Sequence, residues 1–212
     1  RRLSVTGYFE WVLGELRHKE AMHVISEIDQ DSGALFAHNF YNTEFAGRVV
    51  FLDVNETIRG FTADRNEFLG RNGSPSAPNA MKKTRLSGKV GAGVDPCGAM
   101  QVNFDLADEE EKEIVFTLGI GKNIKDARNL VQRFRGAEPA RHALEAVWNY
   151  WNRTLGVIYL ETPDQSVNIL ANGWLLYQVL SCRVWARSGY YQSGGAFGFR
   201  DQLQDVMALI YS

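Results

Sequence analysis

The sequence predicts an α+β multidomain chain: an antiparallel β-sandwich, a helical linker, and the opening of an all-α domain. Three observations predict it. Up to about residue 120, apolar residues fall in short, partly alternating runs separated by polar turns. Beyond that point they recur at helical spacing. From Thr162 to Arg187 the chain is apolar on most faces of a helix, the pattern of a helix enclosed by other helices. The boundaries read as 1–120 for the sandwich, 121–160 for the linker and 161–212 for the all-α domain.

The sandwich strands are expected in SVTGYFEWVL, MHVISEI, ALFAHNF, RVVFLDV, AMQVNFDL and EIVFTLGI. In AMQVNFDL the period is two: Met100, Val102 and Phe104 face one way, Gln101 and Asn103 the other. DEEEK, residues 108–112, reads as a solvated turn between two strands. Ile124, Ala127, Leu130, Val131 and Phe134 mark one helix stripe, and Ala140, Leu144, Val147, Trp148, Trp151 and Leu155 mark a second. Gly136 and Pro139 punctuate the gap between them. TPDQ, residues 162–165, reads as a helix start, with Thr162 as cap, Pro163 in the first turn and Gln165 completing a capping box. The chain opens inside a strand pattern and closes at LIYS inside a helical one, so it reads as an excerpt from a longer polypeptide.

Composition excludes several function classes. The 212 residues are 45% hydrophobic, enough to bury a core without disulfide or metal staples. A net charge of −2 gives no electrostatic case for nucleic acid or an acidic membrane surface. RRLSVTGYFEWVLGEL has no apolar signal core, and no window of about 18 apolar residues suggests a membrane span. Cys97 and Cys182 read as two buried free thiols in a reducing, hence cytoplasmic, compartment. His18, His23, His38 and His142 form no metal pattern, so no metal is expected.

The stretch richest in chemistry is YYQSGGAFGFRDQLQD, residues 190–205. Gly194, Gly195 and Gly198 permit backbone geometry that other residues resist. Arg200 offers a rigid fork of donors and Asp201 offers acceptors, and a sugar hydroxyl uses both. Gln204 and Asp205 follow Asp201 by three and four residues, so they share its helix face, and Phe197 and Phe199 can wall the site. The competing reading makes Gly-Gly a plain connector, with Asp201 favouring the helix N-terminus through its dipole and Arg200 paired locally. The glycines do not form a dinucleotide fingerprint, no phosphate-loop lysine follows, and no G-x-S-x-G elbow is present. TADRNEFLGRNGSPSAPNAM, residues 62–81, reads either as a sandwich loop whose arginines, Arg65 and Arg71, pair with nearby acids, or as a loop reaching over an active site. Cys97, in VDPCGAM, has no base close in sequence and reads as buried rather than nucleophilic.

YYQSGGAFGFRDQLQD closely resembles the sugar-binding signature of the inverting glycoside phosphorylases of family 94. That family includes cellobiose, chitobiose and 1,2-β-oligoglucan phosphorylases and the phosphorylase-like region of cyclic β-1,2-glucan synthases. DRNEFLGRNG, VDPCGAM and VFTLGIG resemble the sandwich half of the same family, and the QLQD ending looks closer to its β-1,2-glucan branch than to its cellobiose phosphorylases. The resemblance implies that residues 161–212 are the first helices of an (α/α)6 catalytic barrel. It implies phosphorolysis of a β-glucoside, such as a β-1,2-glucan, to α-glucose 1-phosphate, a glycosyltransferase-type reaction with inorganic phosphate as co-substrate and no cofactor. Arg200 and Asp201 would bind hydroxyls of the non-reducing-end sugar, supported by Gln192, Gln204 and Asp205. The general acid and the phosphate site would lie downstream, so no residue here is expected to be catalytic. The implied partners are a β-linked oligosaccharide, phosphate and a second copy in a homodimer. A hydrolytic glycosidase and a non-catalytic carbohydrate-binding segment are the alternatives on the same architecture.

Overall fold

In a computed structural model, residues 1–185 and 199–211 are described, without the side chains at positions 199, 201, 202 and 211. The chain divides into two compact units, Arg1–His142 and Ala143–Ser212.

The first unit is an antiparallel β-sandwich. Its elements run β1 (Arg2–Glu10), α1 (Arg17–Glu20), β2 (Val24–Ile28), β3 (Leu35–Asn39), β4 (Val49–Val54), β5 (Arg59–Asp64), α2 (Arg65–Leu69), β6 (Pro96–Asp105), β7 (Phe116–Gly121) and α3 (Ile124–Phe134). One sheet has the order β1-β6-β5 and the other β2-β3-β4-β7. Val24, Leu35, Ala37, Leu52, Val54, Met100 and Val102 meet between them as the core. The alternation predicted for β6 holds, with Met100 and Val102 in that core and Phe104 packed against it. Residues 108–113 are exposed, as a solvated turn requires.

Strands β3 and β4 are buried on both faces, which a simple sandwich does not demand. The cause is α3, which lays Ala127 and Val131 over Phe36, Val49 and Phe51 on the outer face of the four-stranded sheet. Asn123 caps this helix, its Oδ1 accepting from the Asp126 N–H at 2.9 Å. Two arginines then fix the helix to the sheet. Arg128 donates to Asp29 at 2.8 Å. Arg135 forks onto Asp53, Nε to Oδ2 and Nη2 to Oδ1, both at 2.8 Å. Arg59 also donates to Asp53, at 3.1 Å, and the Ser32 carbonyl accepts from both guanidinium groups. The Asp53 side chain is fully buried at the centre of this arrangement.

The apolar pattern announces every strand except β5. RGFTAD carries few apolar residues, and its place in the sheet comes from backbone pairing with β6, Arg59 to Val102 through Thr62 to Ala99. It leads into α2, so the segment predicted as loop from residue 62 is a strand end followed by a helix. Asp64 caps α2 by accepting from the Asn66 N–H at 2.9 Å. Gly70 ends it at a φ of 94°, a conformation that favours glycine. Phe68 and Leu69 of α2 then cover Ala99 on the outer face of the three-stranded sheet.

The second unit is helical, beginning within α4 (Ala137–Leu155) and continuing with α5 (Gln165–Ile169), α6 (Leu175–Val179) and α7 (Phe199–Val206). The long helix expected from Thr162 is not continuous. π-Helical turns occupy Leu170–Trp174 and Leu180–Trp185, and the backbone leaves helical geometry at Asn172 and Gly173, where φ reaches 156° at the glycine. The start also differs: Asp164, not Thr162, is the cap, accepting from the Ser166 N–H at 2.8 Å. Thr162 is held instead by Asn168, which accepts from its N–H at 2.9 Å and donates to its carbonyl at 3.0 Å. Asn172 makes the same reciprocal pair with Leu160, both bonds at 2.7 Å. These two asparagines hold the backbone of Leu160 and Thr162 outside the helix, which begins later. No helix among the described residues is long and apolar enough to cross a membrane.

Candidate functional site

The chemistry read from the sequence concentrates around α7. Of the predicted residues, Gln192 and the glycine loop lie outside the described residues, as does the side chain of Asp201. Arg200, Gln204 and Asp205 are described, and all stand on α7. Arg200 is exposed and makes no ion pair or hydrogen bond among the described residues. Gln204 is also exposed, one helical turn beyond Arg200 on the same face.

Gln204 and Asp205 line a cavity of about 720 Å³, opposite Gln178, Cys182 and Arg183 from the segment that precedes the glycine loop. That volume falls within the size of small-molecule sites, roughly 300–1,000 Å³. Its polar groups suit a polyhydroxylated ligand: two amides that both donate and accept, a carboxylate, and a guanidinium. Arg183 Nε lies 2.5 Å from Asp205 Oδ2. Gln178 is oriented by the Cys182 thiol, which donates to its Oε1 at 3.2 Å. The structure therefore gathers Gln204 and Asp205 at one cavity and leaves Arg200 off its lining.

Arg183 and Gln178 line this cavity and were not singled out from the sequence. A signal was present: Arg183 is the only charged residue between Gln165 and Ala186. A lone guanidinium in so apolar a run needs a partner, and the partner lies 22 positions later on α7. Cys182 departs from expectation, being exposed beside the cavity rather than buried. Its thiol lies at the open cavity between this segment and α7, where water reaches it.

The sandwich residues singled out have local roles. Arg65 pairs with Glu10 at 2.8 Å and Asp95 at 3.5 Å, and Arg17 joins the same two acids. The Tyr8 hydroxyl donates to Glu10 at 2.8 Å; burial first, and that bond second, raise its pKa well above the usual phenol range. Arg71 is exposed. Cys97 is buried, as read from the sequence, and burial pushes its thiol pKa up to about 12, with the Asp64 and Asp95 carboxylates adding to the shift. Cys97 is accordingly expected to resist a chromogenic aromatic disulfide at about pH 8 in the folded protein and to react promptly once denatured. Native-state labelling at Cys97, located by peptide mass mapping, would contradict its burial. Among the described residues no group of three or more His, Cys, Asp or Glu is arranged to hold a metal ion.

Comparison with known proteins adds independent observations. Residues 1–137 match the family model "Glycosyl hydrolase 94, supersandwich domain", and residues 150–212 match "Glycosyl hydrolase 94 superfamily, catalytic domain". The chain is 41% identical to the cyclic β-(1,2)-glucan synthase NdvB of Rhizobium meliloti (strain 1021), over 99% of this chain and 7% of that protein. It is 24% identical to the N,N'-diacetylchitobiose phosphorylase of Vibrio furnissii, over 99% of this chain and 27% of that protein. It is 26% identical to the solabiose phosphorylase of Paenibacillus borealis, again over 99% of this chain and 27% of that protein. The chain thus spans about a quarter or less of the length of these relatives.

Proposed function

This chain belongs to glycosyl hydrolase family 94, and we propose that it is part of a glycoside phosphorylase that cleaves a β-glucoside with inorganic phosphate, inverting the anomeric centre to give α-glucose 1-phosphate. In this reading residues 161–212 open the catalytic barrel, and the α7 region supplies grip on the non-reducing-end sugar. The observation that carries it is the cavity at which Gln204 and Asp205 of the RDQLQD segment meet Gln178 and Arg183. Phosphorylase names among the relatives support the reaction class. The identity to a cyclic β-(1,2)-glucan synthase supports a β-1,2-linked substrate.

The chemistry sets what the site must do. An inverting hydrolase needs one carboxyl group to protonate the leaving oxygen and a second to activate water. Phosphate arrives as an anion, so the second group is dispensable. A phosphate oxygen attacks the anomeric carbon, the bond from that carbon to the leaving oxygen breaks, and a general acid gives its proton to the departing sugar. What remains is to hold the ring while positive charge grows on it. Arg200, Asp201, Gln192, Gln204 and Asp205 are assigned that holding role, and the general acid is assigned to no residue of this chain. Contacts that tighten as the charge develops raise the rate as well as the affinity.

The test is to incubate the full-length protein with β-1,2-gluco-oligosaccharides and with cellobiose, with and without phosphate. Glucose 1-phosphate is expected only with phosphate, and fastest from the β-1,2-linked substrate. Sugar release that ignores phosphate would assign a hydrolase instead. Binding without turnover on every linkage would leave only a carbohydrate-binding role.

A further inference from the structure

We propose that Arg183 is a positioning residue for the sugar site: its guanidinium orients the Asp205 carboxylate so that the remaining oxygen faces the cavity and accepts from a sugar hydroxyl. The proposal rests on the reading of that cavity as the sugar-binding site. Arg183 stands on the π-helical turn Leu180–Trp185, and Asp205 stands on α7. Both line the cavity. Arg183 Nε engages Oδ2 of Asp205 at 2.5 Å, and among the described residues Oδ1 has no other partner. One oxygen is therefore held and the other is available to a ligand.

Two features argue that this pair serves geometry more than stability. Both side chains are about a third exposed, and an ion pair so open to water adds little to folding. The pair also joins residues 22 positions apart, one on the π-helical turn and one on α7, so it sets the two described segments against each other. π-Helical turns occur frequently at functional sites, and Arg183 stands on one. A polar group displaced by about 1 Å can cost on the order of 100-fold in rate, which gives such a tie its leverage.

The experiment uses the full-length protein and follows phosphate-dependent release of glucose 1-phosphate from a β-1,2-gluco-oligosaccharide. Arg183→Met is expected to lose about 10–100-fold in kcat/KM, while its thermal midpoint stays within about 2 °C of wild type. Arg183→Lys keeps the charge but loses the planar fork, and recovers only part of the loss. The Arg183→Met/Asp205→Asn double variant is expected to be no worse than Asp205→Asn alone, because the arginine acts only through that carboxylate. Wild-type kinetics in Arg183→Met, or losses that add in the double variant, overturn the proposal and leave the phosphorylase reading standing. A fallen thermal midpoint with unchanged kcat/KM marks a structural tie and overturns it too. If Arg183→Met does not fold, Arg183→Lys carries the test, since its loss must vanish in the Asp205→Asn background. A wild-type protein that yields no glucose 1-phosphate from any substrate removes the phosphorylase reading itself, and the inference with it.

Discussion

Replacing Asp53 with alanine is expected to destabilise the sandwich by about 3–5 kcal/mol, the range for breaking a buried ion pair from one side. The carboxylate is fully buried and takes two bonds from Arg135 and one from Arg59. Without it, among the described residues, Arg59 keeps only carbonyl partners at Ser32, Val54 and Glu56, and Arg135 keeps only Ser32. Two positive groups then face each other with no counter-charge. Arg135 directly follows α3, so the same change loosens the cover over Phe36 and Phe51. In the full-length protein the sandwich transition, followed by circular dichroism, is expected to fall on the order of 10 °C. Glu56→Gln is the contrast, because the Lys112–Glu56 pair is about a third exposed at 3.2 Å and should cost less than about 1 kcal/mol. Equal midpoints for the two variants would show that Asp53 is not the anchor.

The second large effect is on turnover. Arg200→Ala and Asp201→Asn in the full-length protein are each expected to lower kcat/KM by about 10²–10⁴-fold without unfolding it. The estimate assumes two hydrogen bonds between a charged group and sugar hydroxyls, about 1.5–3 kcal/mol each, with every 1.36 kcal/mol worth about tenfold in rate. Arg200 is exposed and has no partner among the described residues, so its removal strands none of them. A fall in activity with an unchanged thermal midpoint therefore reports ligand contact and not collapse. Gln204→Ala removes neutral bonds of about 1 kcal/mol each and should cost nearer tenfold. Wild-type kinetics in both Arg200→Ala and Asp201→Asn would reject the roles assigned to them.

Much of the architecture is legible in the residues, and the misses have physical causes. Periodicity finds β1–β4, β6 and β7 because each buries a regular face. It cannot find β5, whose membership depends on backbone bonds to β6 and not on apolar side chains. Its continuation, α2, did carry a cue: Asp64 and Glu67 have the spacing of a helix cap. Glu67 does not close that box, because Thr62 and Ser87 take its carboxylate. The late helix start at Gln165 has a similar origin, since Asn168 and Asn172 hold the preceding residues by contacts that local propensity does not register.

By itself, the sequence determined the order of the architecture, sheets first and helices after, and marked residues 190–205 as the segment in which to test for sugar binding. Those features are local: a repeat period and a cluster of residue types can be read without knowing what packs where. Tertiary structure alone decided that Asp53 anchors two arginines and that Arg183 meets Asp205 beside Gln204. Arg135 is 82 positions from Asp53 and Arg183 is 22 from Asp205, beyond the reach of any local pattern. Charge pairing acts through distance in space, and only the folded backbone sets that distance.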